Sequence, residues 1–85
     1  MKIDRTDFIK IMQDNVSEID VSRIAGDRRL VDIGVDSLGF ATLLFAIEDK
    51  LGVHIDENEL EGLNGNSTLK ELSLVFQRLG YEIEV

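Results

Sequence analysis

The chain has 85 residues and a formal net charge of −8, with 17 acidic against 9 basic side chains. This balance argues against binding to nucleic acid or to an anionic membrane, since both need clustered Lys and Arg, and it favours partners with basic patches. No cysteine is present, which excludes disulfides and thiol chemistry by the chain's own side chains. Hydrophobic residues make up 44%, enough for one small core. We therefore expect a single domain over residues 1–85 and a monomer.

The sequence carries no sign of membrane insertion or export. No apolar run approaches the ~18 residues of a membrane span. The first five residues, Met1 to Arg5, lack the apolar segment of a signal peptide. A cytoplasmic location is the resulting expectation.

The first predicted helix runs from Asp4 to about Asn15, with Asp4 or Thr6 as its N-cap. Its apolar face is formed by Phe8, Ile11, Met12 and Asn15 or Val16 at helical spacing. Residues Ser17 to Val35 keep no clean period and predict a long loop, with a short helical turn at 22–25. Arg23, Arg28 and Arg29 in this loop are expected to be surface charges or partners of nearby carboxylates.

A second helix is predicted from Ser37 to about Leu51, between an N-cap at Asp36 and a C-terminal glycine, Gly52. One face repeats apolar residues at helical spacing and should be core: Phe40, Leu43, Leu44, Ile47 and Leu51. The opposite face mixes exposed apolar groups with carboxylates: Leu38, Ala41, Thr42, Phe45, Glu48 and Asp49.

Beyond Gly52 the pattern predicts a short connector and then a short helix capped by Asp56. Thr68 and Glu71 form a capping box for a last helix that ends at Gly80. The tail Tyr81–Val85 has no evident strand partner and is expected to fray or pack loosely. The predicted fold is all-α: a small four-helix bundle of three main helices and one short helix, with a long loop after helix one.

Ser37 lies at the positive end of a helix dipole, where a bound phosphate is favoured. It is either a modification site beside a docking surface or part of an ordinary capped helix. Catalysis by the chain is not expected, because the one histidine, His54, lies past the far end of the helix that Ser37 starts, and about a dozen residues at ~1.5 Å each put that end far from Ser37. No metal site is expected either. Zinc ligands are lacking, and the acidic run after Asp56 fails the EF-hand pattern at Leu60 and Glu61.

The run from Leu30 to Leu38 resembles the phosphopantetheine attachment motif of acyl carrier proteins and peptidyl carrier domains. Its Asp-Ser-Leu core is Asp36, Ser37 and Leu38, preceded by Gly34 and by upstream apolar residues. The resemblance extends over most of the chain, including its length and helix order. It indicates a stand-alone acyl carrier protein and implies that the long first loop lays apolar side chains on the bundle.

The resemblance implies that a phosphopantetheinyl transferase moves 4′-phosphopantetheine from coenzyme A onto Ser37, and that Asp36 helps hold the transferase's Mg²⁺. The arm would supply the thiol that the chain lacks. Acyl units would be bound to this thiol as thioesters, in fatty acid or polyketide biosynthesis or other lipid metabolism. Separate acyl-loading and acyl-transferring synthase enzymes would perform the chemistry.

The resemblance also makes the Asp-Ser-Leu helix the recognition helix. Its partner-facing side would be Leu38, Thr42, Phe45, Glu48 and Asp49, and an acyl pocket would be lined by Phe40, Leu43 and Ile47, which are otherwise plain core. Fatty-acid-synthesis carriers are acidic just after the serine, whereas residues 39–42 here are Gly-Phe-Ala-Thr. This departure points to a specialised carrier, as in polyketide, lipid-modifying or nodulation-type pathways. An aminoacyl or peptidyl carrier and an unmodified acidic helical adaptor remain alternatives, and the cargo, pathway and partner enzymes stay open.

Overall fold

A computed structural model describes residues 2–16 and 18–85, so Met1 and Ser17, the start of the predicted loop, lie outside the described residues. Within those ranges the chain forms three α-helices: α1 (Arg5–Asn15), α2 (Ser37–Leu51) and α3 (Leu69–Arg78). Three short 3-10 helices lie between them, at Val21–Arg23, Leu30–Ile33 and Glu57–Leu60. Two-residue strands stand at the ends, β1 (Lys2–Ile3) and β2 (Glu82–Ile83). The fold is thus mainly helical, and the predicted fourth helix is a 3-10 turn.

The predicted helix caps are mostly confirmed. Asp4 and Asp36 each accept a hydrogen bond from the backbone N–H three residues on, at 2.8 and 2.7 Å. Thr68 and Glu71 form the reciprocal capping box, at 3.1 and 3.0 Å. Asp56 precedes the turn Glu57–Leu60 but makes no side-chain cap hydrogen bond, so its predicted capping role is wrong.

The core joins the predicted apolar faces of the three helices. α1 packs on α2, and α3 closes the bundle. The side chains buried at 0% exposure include Phe8, Met12, Leu43, Ile47, Leu69, Leu72 and Phe76. Each such burial contributes roughly 1.5–3 kcal/mol to folding. At the end of α1, Val16 is buried and Asn15 is exposed, so Val16 and not Asn15 completes the predicted apolar face.

The C-terminal tail is the main departure from the predicted fold. β2 pairs in parallel with β1, with Ile83 opposite Ile3, and the Glu84 N–H donates to the Ile3 carbonyl at 2.9 Å. Ile3 and Ile83 are both buried in the core. The prediction that residues 81–85 fray or pack loosely is therefore wrong. Their partner is a strand of only two residues at the opposite end of the chain, which is too short to show an alternating pattern in the sequence.

The long loop between α1 and α2 is ordered by backbone hydrogen bonds to the segment that precedes α3. Leu30 N–H donates to the Ser67 carbonyl and Val31 N–H to the Gly65 carbonyl, both at 2.9 Å. The loop places Ile24, Leu30, Ile33 and Val35 in the core. The expectation that it lays apolar side chains on the bundle is confirmed, and it carries the chain to the start of α2.

Candidate functional site

Ser37 is the first residue of α2, and it is exposed. Immediately before it, the Asp36 carboxylate accepts from the Gly39 N–H at 2.7 Å and so satisfies one of the free amides of the first turn. The hydroxyl of Ser37 therefore stands at the positive end of a well-capped, 15-residue helix.

Other serines that the structure describes use their hydroxyls locally. Ser22 donates to the Asp20 carboxylate at 2.5 Å, and Ser73 donates to the Lys70 carbonyl at 2.7 Å. Ser67 is buried and accepts from a backbone N–H at 3.0 Å. Of the four serines that the structure describes, Ser37 is the one that begins an α-helix, and its exposure lets an enzyme reach it.

Gly34 shapes the turn that leads into α2. Its φ of +98° is in the left-handed region that favours glycine. A Cβ at this position would also lie 2.9 Å from the Glu18 carbonyl oxygen, far inside normal contact. Any side chain at position 34 thus meets both backbone strain and a backbone clash, so the turn requires glycine.

Gly39 has a local structural role as well. A Cβ here would lie 3.1 Å from Asp36 Oδ1, the atom that caps the helix, and 3.4 Å from a methyl carbon of Val16. Because Gly39 has no side chain, the Asp36 carboxylate has room to cap the helix. This is a physical reason for a glycine inside the first turn, where helix propensity alone disfavours it.

Two arginines of the loop pair with carboxylates of the same loop. Arg29 binds Asp32 through two hydrogen bonds of 3.0 and 3.1 Å, which lower the pKa of Asp32 and raise the pKa of Arg29. Asp20 lies 3.2 Å from Arg23, and its pKa is lowered chiefly by the Ser22 hydroxyl. Of the three arginines expected to be surface charges or partners of carboxylates, Arg23 and Arg29 pair with carboxylates and Arg28 is an exposed surface charge. From Ser37 to Ile47, α2 carries no charged side chain.

The predicted recognition residues line the outer side of α2. Leu38 and Phe45 are 77% and 68% exposed, large values for apolar side chains. Between them, half-buried Thr42 donates its hydroxyl to the Leu38 carbonyl at 3.0 Å.

Two connected depressions run along this side of the helix. A depression of about 130 Å³ near the start of α2 is lined by Asn15, Val16, Gly34, Asp36, Leu38, Gly39 and Thr42, and not by Ser37 itself. A larger one of about 780 Å³ is lined by Asn15, Thr42, Phe45, Ala46, Glu48, Asp49, Gly52, Val53 and His54. Because both share Asn15 and Thr42, we treat them as one surface feature, the α1–α2 groove. It brings the five predicted recognition residues together along one strip.

Glu48 has an internal partner that the sequence did not predict. Its side chain is only 12% exposed, and Oε2 accepts from the Ile55 N–H at 3.1 Å. The same oxygen lies 3.1 Å from Nδ1 of His54, whose side chain is 82% exposed. The contact joins residues seven apart across the end of α2, a spacing that helical periodicity does not reveal.

The predicted acyl-pocket residues belong to the packed core. Leu43 and Ile47 are fully buried, and Phe40 is half-buried against them. They do not line the α1–α2 groove, so their role as an acyl pocket stays a prediction. A second pocket of about 200 Å³ has an apolar lining of Ala41, Leu44, Phe45, Ile55 and Leu60. It shares Phe45, Glu48 and His54 with the α1–α2 groove.

The site offers no arrangement for nucleophilic catalysis. Ser37 begins α2 and His54 lies beyond its other end, and the helix between them spans ~22 Å at 1.5 Å per residue. Among the residues that the structure describes, no three His, Asp or Glu side chains cluster as metal ligands would. Within the same ranges, each helix is too short or too polar to cross a bilayer.

Comparison with known proteins gives the family. Residues 9–75 match the family model described as "Phosphopantetheine attachment site". The acyl carrier protein MbtL of Mycobacterium tuberculosis is 45% identical over 56 residues, which cover 65% of this chain and 66% of that protein. The MbtL of Mycolicibacterium paratuberculosis is 46% identical over 55 residues, with 64% and 61% covered. An acyl carrier protein of Saccharopolyspora erythraea is 37% identical over 43 residues, with 51% and 45% covered.

The chain thus spans just under two thirds, or less, of the length of these relatives. No solved structure matches it significantly. The family match nevertheless covers most of the chain and includes all of α2 with the turn before it. The chain therefore belongs to the phosphopantetheine-attachment family, whose cofactor is a covalent 4′-phosphopantetheine.

Proposed function

We propose that this protein carries acyl intermediates as thioesters on a 4′-phosphopantetheine arm attached to Ser37 and presents them to separate biosynthetic enzymes. The observation that carries the proposal is the exposed Ser37 hydroxyl at the capped start of α2, inside the matched region. The relatives named above are acyl carriers by name, which favours acyl over aminoacyl cargo.

The local physics supports phosphate attachment at this position. The free backbone N–H groups and the helix dipole favour negative charge at the start of α2. Asp36 caps the helix through Oδ1, bonded to the Gly39 N–H. On this proposal the same carboxylate also helps hold the Mg²⁺ of the phosphopantetheinyl transferase.

Partner enzymes would read the outer side of α2 through Leu38, Thr42, Phe45, Glu48 and Asp49. The exposed apolar pair Leu38 and Phe45 favours partners that offer an apolar contact near Ser37. At the far end of the helix the exposed Asp49 carboxylate would fit a basic patch, whereas the Glu48 side chain is only 12% exposed and its carboxylate holds the Ile55 N–H. This apolar start is the reason for proposing a specialised carrier.

An acyl pocket lined by Phe40, Leu43 and Ile47 would require α2 to move away from the core. Leu43 and Ile47 are fully buried in tight packing, so an acyl chain has no open path to them in this conformation. An acyl chain held there would replace some of the apolar contacts that Leu43 and Ile47 now make in the core, which is energetically feasible.

The test is modification in vitro. The unmodified protein is incubated with coenzyme A, Mg²⁺ and a phosphopantetheinyl transferase of broad specificity, and intact mass is measured. One arm per chain is expected on the wild type and none on Ser37→Ala. Ser73→Ala is the matched control, because it removes another helical serine and should be modified like the wild type. No mass gain, or an equal gain in Ser37→Ala, would contradict the proposal.

A further inference from the structure

The turn that precedes α3 contains an exposed asparagine followed by a glycine, Asn64 and Gly65. The side-chain Oδ1 of Asn64 accepts from the Asn66 N–H at 2.8 Å. Ser67 holds the backbone of the same residue, because its Oγ accepts from the Asn64 N–H and its N–H donates to the Asn64 carbonyl, both at 3.0 Å. The side-chain amide of Asn64 is therefore folded back toward the backbone that follows it, and water can reach it.

Asn64 is the one asparagine of the sequence that precedes a glycine. The other three precede larger residues: Asn15-Val16, Asn58-Glu59 and Asn66-Ser67. Because glycine has no Cβ, the backbone nitrogen of Gly65 is the least hindered of the four toward the side-chain carbon of the preceding asparagine. In the part of the chain that the structure describes, the Gly65 N–H donates to no other protein group. No internal hydrogen bond therefore holds its proton.

We propose that Asn64 is a site of spontaneous deamidation, and that its isoaspartyl product loosens the loop that leads to α2. The Gly65 nitrogen loses its proton to water or hydroxide and forms a bond to Cγ of Asn64. The bond from Cγ to the side-chain nitrogen breaks, and that nitrogen takes up a proton and leaves as ammonia. Water then opens one of the two C–N bonds of the resulting cyclic imide. Water is the only co-reactant, and no group is oxidised or reduced.

The two products of ring opening differ in their effect on the turn. Opening at Cγ gives aspartate, which keeps the main chain and retains an oxygen that can accept from the Asn66 N–H. Opening at the original peptide bond gives isoaspartate, in which the main chain to Gly65 runs through Cβ and Cγ. The carbonyl that now accepts from the Ser67 N–H becomes a free carboxylate. The isoaspartyl product therefore lengthens the turn as well as adding a negative charge.

This turn holds the long loop between α1 and α2. The Gly65 carbonyl accepts from the Val31 N–H, and the Ser67 carbonyl accepts from the Leu30 N–H, both at 2.9 Å. These bonds hold the start of the 3-10 helix Leu30–Ile33, which runs into the turn at Gly34 just before α2. A longer main chain at residue 64 displaces the Gly65 carbonyl from Val31, so the loop should open more often.

The first experiment follows deamidation along the chain. The wild type is incubated in mildly alkaline buffer and digested, and the peptides are fragmented and weighed, since exchange of the side-chain NH₂ for OH adds about one dalton. Conversion at Asn64 should be at least about tenfold faster than at Asn58 or Asn66, which are also exposed but precede residues with a Cβ. Equal rates at the three sites, or faster conversion at Asn66, would overturn the inference.

Gly65→Ala is the matched variant for the attacking nitrogen. A Cβ at this position would lie 3.9 Å from Cβ of Val31, which is ordinary contact, and Gly65 is not among the glycines with positive φ. The variant should therefore unfold at nearly the wild-type temperature, while conversion at Asn64 should slow at least about fivefold. Conversion at the wild-type rate in the folded variant would show that the Gly65 nitrogen is not the attacking group.

The second experiment measures the effect on the loop. Hydrogen exchange at the Leu30 and Val31 amides is compared in fresh protein, in the chromatographically separated isoaspartyl form and in Asn64→Asp, which adds the charge without lengthening the main chain. Exchange should be at least about threefold faster in the isoaspartyl form and unchanged in Asn64→Asp. Unchanged exchange in the isoaspartyl form, or an equal rise in Asn64→Asp, would overturn the proposed loosening. Neither experiment involves the Ser37 hydroxyl, so both results are independent of the proposed function.

Discussion

The two ends of α2 are built in different ways. At the start, the turn at Gly34 and the cap at Asp36 fix the backbone, while Ser37 and Leu38 project to solvent. At the end, the Glu48 carboxylate is turned inward to hold the Ile55 N–H, which pins the following segment to the bundle. At the first end, the side chains of Ser37 and Leu38 are accessible to other molecules, whereas at the second end the Glu48 side chain holds the chain's own backbone. An attachment site belongs at the first kind of end, since its chemistry needs access.

The largest stability effect should come from the turn at the first end. Gly34→Ala should lower the free energy of unfolding by at least about 2 kcal/mol, because left-handed strain adds to the clash with the Glu18 carbonyl. Gly62→Ala is the matched control, with φ +92° and open space around its Cβ, and should lose only ~1 kcal/mol. Urea unfolding of both variants measures the difference. Equal losses of stability in the two variants would show that the Glu18 carbonyl does not lie close to Gly34.

At the second end, Glu48→Ala should cost about 1–3 kcal/mol, because it leaves the partly buried Ile55 N–H without its partner. Hydrogen exchange at the Ile55 amide should speed up in the same variant. His54→Ala removes only an exposed contact to the same carboxylate and should change stability by less than ~0.5 kcal/mol. If the two variants behave alike, Glu48 does not anchor this segment.

Loss of the cap at the first end should have a smaller effect. Asp36→Ala should lower the free energy of unfolding by about 1 kcal/mol, while Asp36→Asn, which still caps, should lose only a few tenths. Both variants lack the carboxylate charge, so both should slow modification by the transferase if Asp36 helps hold its Mg²⁺. Modification at the wild-type rate in Asp36→Asn would leave Asp36 with a capping role alone.

The smallest effect is expected at Gly39. In the wild type, Gly39→Ala gains at most ~1 kcal/mol of helix propensity but crowds Asp36 Oδ1, so the net change should stay within about 0.5 kcal/mol. In the Asp36→Ala background the crowding oxygen is gone, and the same substitution should become stabilising. A double-mutant cycle by thermal unfolding measures this coupling. Additive effects would show that Gly39 does not make room for the cap.

The parts of the fold that the sequence predicted are those set by local contacts. The caps at Asp4, Asp36 and Thr68 each involve residues three apart, and the buried faces of the helices follow one period. The exposure of Leu38 and Phe45 followed from the same period.

The parts that the sequence did not predict depend on distant partners. The pairing of β2 with β1 joins the two ends of the chain through two residues on each side. The bond from Glu48 to Ile55 crosses a helix end, and the α1–α2 groove needs Asn15 from α1. None of these three features leaves a periodic pattern in the sequence, so only the three-dimensional arrangement reveals them.

The most direct test of the central claim is to locate the arm on the protein. The chain is expressed together with a phosphopantetheinyl transferase, digested, and its modified peptide fragmented in the mass spectrometer. We predict a single phosphopantetheine on the peptide that spans α2, with the fragment masses assigning it to Ser37. An arm on any other serine, or an unmodified chain beside an active transferase, would contradict the account.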